Sequence, residues 1–198
     1  MPSRVGWVRI STIRIFTITM SSEPIFINKL INSLTEVGET KVIAKGDYLI
    51  KEGDVEKNLY WVASGAVRVF YLTEFEEHVI RLGYKNSFIN SLSSFIKQSP
   101  SEFFIEAIRK TTVKVISREQ LQNLVHESND SLKQYLALME ILVTQQIDRE
   151  IDLLITSPAE RLKRVLDRSP DLFQEIPLKY IASYLRMKPE TLSRIRNS

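Results

Sequence analysis

The residues with the clearest chemical use lie in the last stretch of the chain, PLKYIASYLRMKPETLSRIRNS. Leu178, Ile181 and Leu185 recur at helical steps with small Ala182 on the inner side, and Arg186-Met187-Lys188 makes a tight connector. Pro189 suits the first turn of a second helix carrying Leu192 and Ile195. Two short helices that cross steeply need a small residue where their backbones meet, and Ala182 supplies it. The spacing predicts a helix-turn-helix. With Leu192 and Ile195 inward, the second helix presents Glu190, Thr191, Ser193, Arg194 and Asn197, flanked by Lys188 and Arg196, while Lys179 stands on the first helix. Such donors and acceptors suit base edges and phosphate oxygens, so double-stranded DNA is the expected partner. A plain helical hairpin with a solvated face is the other reading of this pattern.

Catalytic chemistry has little support. The 198 residues contain no cysteine, which excludes thiol catalysis, cysteine-zinc sites and iron-sulfur clusters and favours a reducing compartment, with the cytoplasm expected. There is no phosphate loop, dinucleotide fingerprint, zinc-binding HExxH or nucleophile elbow, so no enzyme activity, catalytic residue, metal or cofactor is expected. His78 and His126 read as structural or surface groups. At 43% hydrophobic and 26% charged the chain is an ordinary globular protein with room for one or two cores. Its charge is unevenly placed, since residues 157–198 hold nine Lys and Arg against five Asp and Glu. That basic segment coincides with the helix-turn-helix pattern and favours a polyanion.

The elements that must position this segment are also legible. Ser157-Pro158-Ala159-Glu160 is a helix start, with serine at the N-cap, proline at the first position and glutamate three residues on. Before it, Asp130 to Thr156 contains neither glycine nor proline, and Leu132, Leu136, Met139, Val143, Ile147, Ile151 and Leu154 fall at steps of three or four. This predicts one helix about 40 Å long. A stripe longer than a small domain is wide is expected to meet a second copy of itself, as the seam of a homodimer. Packing of a bent helix on its own domain is the alternative.

All six glycines precede residue 84 and divide short β-branched and aromatic runs; Gly46-Asp47 and Gly53-Asp54 supply chain reversals, and the side chains of VRVFYL alternate strictly enough to place one face inward. An antiparallel sandwich or roll follows, with TTVKVI as a later strand. The fold class is therefore α+β, with an N-terminal jelly-roll-like antiparallel β-roll (20–128), a long dimerisation helix (129–156) and a C-terminal helix-turn-helix domain (157–198). Residues 1–19 carry Arg4, Arg9 and Arg14 with no acid and no uninterrupted apolar core, so neither a signal peptide nor a membrane span is expected. The preferred reading there is an extended or artefactual start before Met20, and an added strand is the runner-up.

This order of roll, long helix and helix-turn-helix resembles the Crp/Fnr family of bacterial transcription regulators. The resemblance rests on KGDYLIKEGDVEKNLYWVASGAVRVFY, similar to the family's cyclic-nucleotide-binding-type roll, and on IPLKYIASYLRMKPETLSRIR, similar to its recognition unit. It implies a sequence-specific DNA-binding regulator acting as a homodimer, with RNA polymerase and an unknown small-molecule effector as further partners. It also implies that Glu190 and Arg194, one helical turn apart, read bases while Thr191 and Ser193 lie near phosphates. Where relatives hold the ribose with Gly-Glu and the cyclic phosphate with Arg-Ser-Ala, this chain has Asn90-Ser91 and Ser101-Glu102-Phe103. No arginine remains in that loop and Glu102 would repel a phosphate, so the expected effector pocket is degenerate and does not take a cyclic nucleotide. Arg186 stands where the family turn has glycine and is expected at positive φ, at a cost of about 1 kcal/mol. The competing expectation is a ligand- or protein-interaction scaffold whose helix-turn-helix has decayed.

Overall fold

Residues 14–15, 18–19, 25–36 and 38–197 are described by the structure, a computed structural model. Most of the segment before Met20 therefore lies outside the described residues. In chain order the elements are β1 (Arg14–Ile15), β2 (Ile18–Thr19), α1 (Ile25–Glu36), β3 (Glu39–Ile43), β4 (Tyr48–Ile50), β5 (Asn58–Ser64), β6 (Ala66–Leu72), β7 (Glu77–Tyr84) and β8 (Ser87–Ile89). They continue with α2 (Leu92–Lys97), β9 (Phe104–Ala107), β10 (Thr111–Ser117), α3 (Arg118–His126), α4 (Asn129–Leu154), α5 (Pro158–Arg168), α6 (Leu172–Glu175), α7 (Leu178–Tyr184) and α8 (Pro189–Arg196).

The strands form two sheets, ordered β2-β1-β8-β5-β10-β3 and β4-β9-β6-β7, and the roll between β3 and β10 is antiparallel. Both glycine-aspartate turns form, with Asp47 N donating to Ala44 O and Asp54 N to Lys51 O, each at 3.1 Å. The two residues of β1 lie parallel to β8, between it and the edge strand β2 of the first sheet.

The strand VRVFYL was expected to bury one face, but β6 is buried on both. Val67 and Val69 point into the roll, whereas Ala66 and Phe70 join a second core with Leu162, Val165, Leu172, Ile181 and Leu192 of the C-terminal domain. Arg68, on the same outer side, is buried to 7% exposure, reaches Glu106 with Nε (2.8 Å) and Nη2 (2.6 Å), and lies over the Phe70 and Tyr180 rings. The roll and the helix-turn-helix are thus joined through one apolar core, reinforced by Ser183 Oγ accepting from Val79 N at 3.1 Å.

Helix α4 starts where Ser128 Oγ accepts from Ser131 N at 3.0 Å and runs 26 residues, about 39 Å. Its expected stripe divides. Leu136, Val143, Ile147, Ile151 and Leu154 are exposed, between 42% and 79%. Leu132 and Met139 instead are half-buried against a core containing Phe26, Leu30 and Leu138, so they do not lie on the free seam. The reason is α1, absent from the sequence reading, which covers the first turns of α4 and takes those two side chains. The next helix, α5, begins as expected with Ser157 Oγ accepting from Glu160 N at 3.3 Å and Pro158 in its first turn.

Candidate nucleic-acid interface and effector pocket

Helices α7 and α8 form the helix-turn-helix on a fully buried footing: Ile181, Ala182, Leu185 and Leu192 are all 0% exposed. Ala182 sits at the approach of the two helices, and its carbonyl accepts from Met187 N at 3.0 Å across the turn. Arg186 has φ +53°, the left-handed conformation expected for it, and its Nη1 stands 2.6 Å from His78 Nδ1 on β7. Two arginines hold the unit from outside it. Arg161 Nη1 donates to Leu185 O at 2.5 Å, and Arg149 Nη2 donates to Tyr184 O, so α4 and α5 both grip the C-terminal end of α7. The sequence offered no sign of either, because a buried arginine bonding a distant carbonyl leaves no local pattern.

The face of α8 away from Leu192 carries Glu190, Arg194 and Asn197 exposed, with Thr191 and Ser193 half-buried beside them. Lys188, at the N-cap, and Lys179 and Arg196 are exposed at the margins. Lys179 Nζ rests 4.7 Å from the Tyr180 ring and the Arg196 guanidinium 5.8 Å from the Phe173 ring, which limits the freedom of both cations without hiding their charge. All eight of these residues therefore belong to one small region of the C-terminal domain. Ala, Leu and Ile fix the crossing, and the remaining polar side chains have nowhere to go but outward.

The residues expected to form a degenerate effector pocket separate into three groups. Ser91 and Ser101 are buried, and their hydroxyls share a hydrogen bond of 2.8 Å. Ser101 Oγ also accepts from Phe103 N at 3.0 Å, so the two serines satisfy each other and their own loop. Asn90 is buried, and with half-buried Phe103 it lines a neighbouring cleft. Glu102 is exposed, which corrects its assignment as the charge inside the pocket. The buried carboxylate beside the serine pair is Glu56, 1% exposed, whose Oε1 accepts from Asn58 N (2.9 Å) and Tyr60 OH (3.2 Å). Arginines do line the neighbouring cleft, Arg81 of β7, Arg149 of α4 and Arg168 of α5, from elements that a reading of one loop does not bring together.

Burial holds the Glu56 carboxyl above its ordinary value of 4.5, against the opposing hydrogen bonds from Asn58, Ser91 and Tyr60. A carboxyl with a raised folded-state pKa keeps its proton longer in the native than in the unfolded chain. Its contribution to stability is therefore greatest at low pH and is lost as pH rises from 4.5 through the folded value. The Glu56→Gln variant, which cannot ionise, is expected to lose this part of the pH dependence. Thermal unfolding between about pH 5 and about pH 8 checks it: the native chain should lose more midpoint on going alkaline than the variant, and identical slopes would contradict the assignment.

Residues 40–128 match the family of cyclic nucleotide-binding domains. No curated protein matches the chain by sequence. Solved structures do match in three dimensions. FixK2 from Bradyrhizobium japonicum is 19% identical with a TM-score of 0.68, over 81% of this chain and 83% of that one. A CooA mutant from Carboxydothermus hydrogenoformans is 17% identical with a TM-score of 0.65, over 93% and 87%. The regulator CLP from Xanthomonas campestris is 16% identical with a TM-score of 0.59, over 86% and 90%. No described helix is long and apolar enough to cross a membrane. Residues 40–128 thus match the cyclic nucleotide-binding domain family, and the chain, with its long helix and helix-turn-helix behind the roll, is similar in fold to Crp/Fnr-type regulators.

Proposed function

We propose that the protein is a sequence-specific DNA-binding transcription regulator of Crp/Fnr type, working in the cytoplasm as a homodimer and acting on RNA polymerase rather than on a substrate of its own. The observation that carries this reading is the polar face of α8, with Glu190 and Arg194 exposed one turn apart over a footing of fully buried Ile181, Leu185 and Leu192. The exposed stripe of α4 supports the dimer, because five large apolar side chains in one row are costly to leave in water. A two-fold axis along that stripe would set two recognition helices about 34 Å apart, in successive major grooves of a pseudo-palindromic site. CLP, similar in fold, is a c-di-GMP responsive global regulator that links signalling to gene expression, which supports a regulatory rather than enzymatic role. Cyclic nucleotides are not the effector in this reading, since the Ser91–Ser101 pair and buried Glu56 stand where a cyclic phosphate would need cations.

The roles on α8 are separable by experiment. Arg194 can offer a bidentate fork to a guanine, so Arg194→Ala is expected to cost about 1–3 kcal/mol on the preferred site and to relax the choice of base there. Lys179→Ala or Arg196→Ala, which remove phosphate contacts, are expected to weaken all duplexes nearly equally and to lower the salt slope by about one unit each. Competition binding over a salt series with specific and scrambled duplexes decides it. Equal losses on both duplexes for Arg194→Ala would refute base reading. Absence of any salt-dependent binding would favour the scaffold with a decayed helix-turn-helix.

A further inference from the structure

The cleft beside the serine pair has a volume of ≈ 580 Å³, within the range of small-molecule sites, and lies between the roll, α2 and α4. Its polar lining is unusual in one respect. Asn90 Oδ1 and Nδ2, Gln145 Oε1 and Arg149 Nη1 are all buried with no hydrogen-bond partner, on side chains only 5%, 9% and 6% exposed. Buried polar atoms in native proteins are nearly always paired, and each one left unpaired costs stability. Four such atoms, on Gln145 and Arg149 of α4 and on Asn90 of the loop after β8, line one cleft.

The charge of the lining points the same way. Arg81, Arg149 and Arg168 line the cleft and no Asp or Glu does. Arg168 is paired with Asp152, which Arg164 also holds through Nε at 2.8 Å. Arg81 reaches only the Ile80 carbonyl (3.1 Å) and the Gln146 amide oxygen, and Arg149 only the Tyr184 carbonyl and the Tyr184 ring face, 3.7 Å away. Two guanidinium groups thus face the cleft without a carboxylate of their own. Burial lowers the pKa of both, the mark of cations short of counter-charge. Apart from Ser93, the rest of the wall is largely apolar, with Ile80, Ile96, Phe103, Met139 and Leu142.

We infer that this cleft binds a small amphipathic organic acid, its carboxylate on Arg149 and Arg81, its apolar body against Phe103 and Leu142, and a hydroxyl or N–H group donating to Gln145 Oε1 or Asn90 Oδ1. The inference rests on the regulatory reading above and gives it an effector class. The site also suits that role by position: Arg149, which takes the carboxylate with one nitrogen, holds the last carbonyl of α7 with the other. Filling the cleft therefore bears on the docking of the recognition unit, and the coupling is reciprocal, so DNA occupancy changes affinity for the acid by the same factor.

Isothermal titration with indole-3-butyrate, which has a carboxylate, an apolar body and one N–H donor, tests the assignment against its neutral methyl ester and against cyclic AMP. The acid is expected to bind at least about tenfold more tightly than the ester, with cyclic AMP weaker still. Arg149→Met should abolish the preference for acid over ester, and Leu142→Ala should weaken acid and ester alike. Equal binding of acid and ester, or no saturable binding of the acid up to millimolar concentration, overturns the inference and leaves a water-filled cleft. The outcome is separate from that of the regulatory reading. Salt-dependent DNA binding without acid binding removes the effector class only, and acid binding without any DNA binding removes the regulator and keeps the cleft.

Discussion

Replacing Val143 and Ile147 together by glutamate is expected to convert the protein from dimer to monomer. The two side chains are 61% and 51% exposed on α4, so the substitutions leave the cores of the single chain intact and far-ultraviolet circular dichroism should not change. In a two-fold seam they would place four carboxylates among Leu136, Ile151 and Leu154 and their mates. Burying a large apolar side chain contributes about 1.5–3 kcal/mol, whereas an unpaired buried carboxylate costs several times that unless it takes up a proton. The seam should therefore not form. A protein that reads two half-sites also loses the second one on becoming monomeric, and its affinity for a full site is expected to fall by about 10²–10⁴. Light scattering checks the first effect and duplex titration the second. An unmodified protein that is monomeric at micromolar concentration would contradict the seam outright.

The second large effect is expected at Gly65, the turn between β5 and β6. Its φ is +90°, and a Cβ there would stand 2.5 Å from Lys110 O, from Thr111 Cα and from Thr111 Oγ1. None of these can retreat cheaply. Thr111 Oγ1 accepts from Ala66 N at 3.0 Å and donates to Arg109 O at 2.8 Å, so moving it opens the start of β6, the strand shared by both cores. Gly65→Ala is expected to cost about 3 kcal/mol or more, a large part of a typical stability of 5–15 kcal/mol, and to lower the unfolding midpoint by about 10 °C. Gly46 and Gly53 provide the comparison. They have φ +88° and +87° but nothing within 4 Å of the added carbon, so alanine there bears only the left-handed strain of about 1–2 kcal/mol. Equal shifts at all three positions would show that the contact at Gly65 does not matter.

The parts of this structure that were readable in the sequence are those whose signal is local and repeated. The alternation in β10, the uninterrupted α4, the Ser157-Pro158 start and the Ala182 crossing each state their geometry within a few residues. Helix α3 carries a local start of the same kind in the capping box of Ser117 and Gln120. Strand β8 has three residues, too few to show a period. Helix α1 covers the start of α4, so Leu132 and Met139 pack within the chain and not on the stripe that their spacing suggests. The error at Glu102 has another cause: a loop alignment fixes which residues are near the pocket but not which way they face. Arg81 and Arg149 are 68 positions apart and meet only once β7 and α4 come together, so the electrostatics of the cleft belongs to the tertiary structure alone.

The central claim is that two copies of this chain read DNA through paired α8 helices, and selection of bound duplexes from a random pool tests it most directly. Enrichment of an inverted repeat whose half-sites are centred about one helical turn, 10–10.5 base pairs, apart is the expected result, with affinity that falls steeply as salt rises. A pool that remains unenriched after repeated rounds, or duplex binding that ignores both sequence and salt, would contradict it.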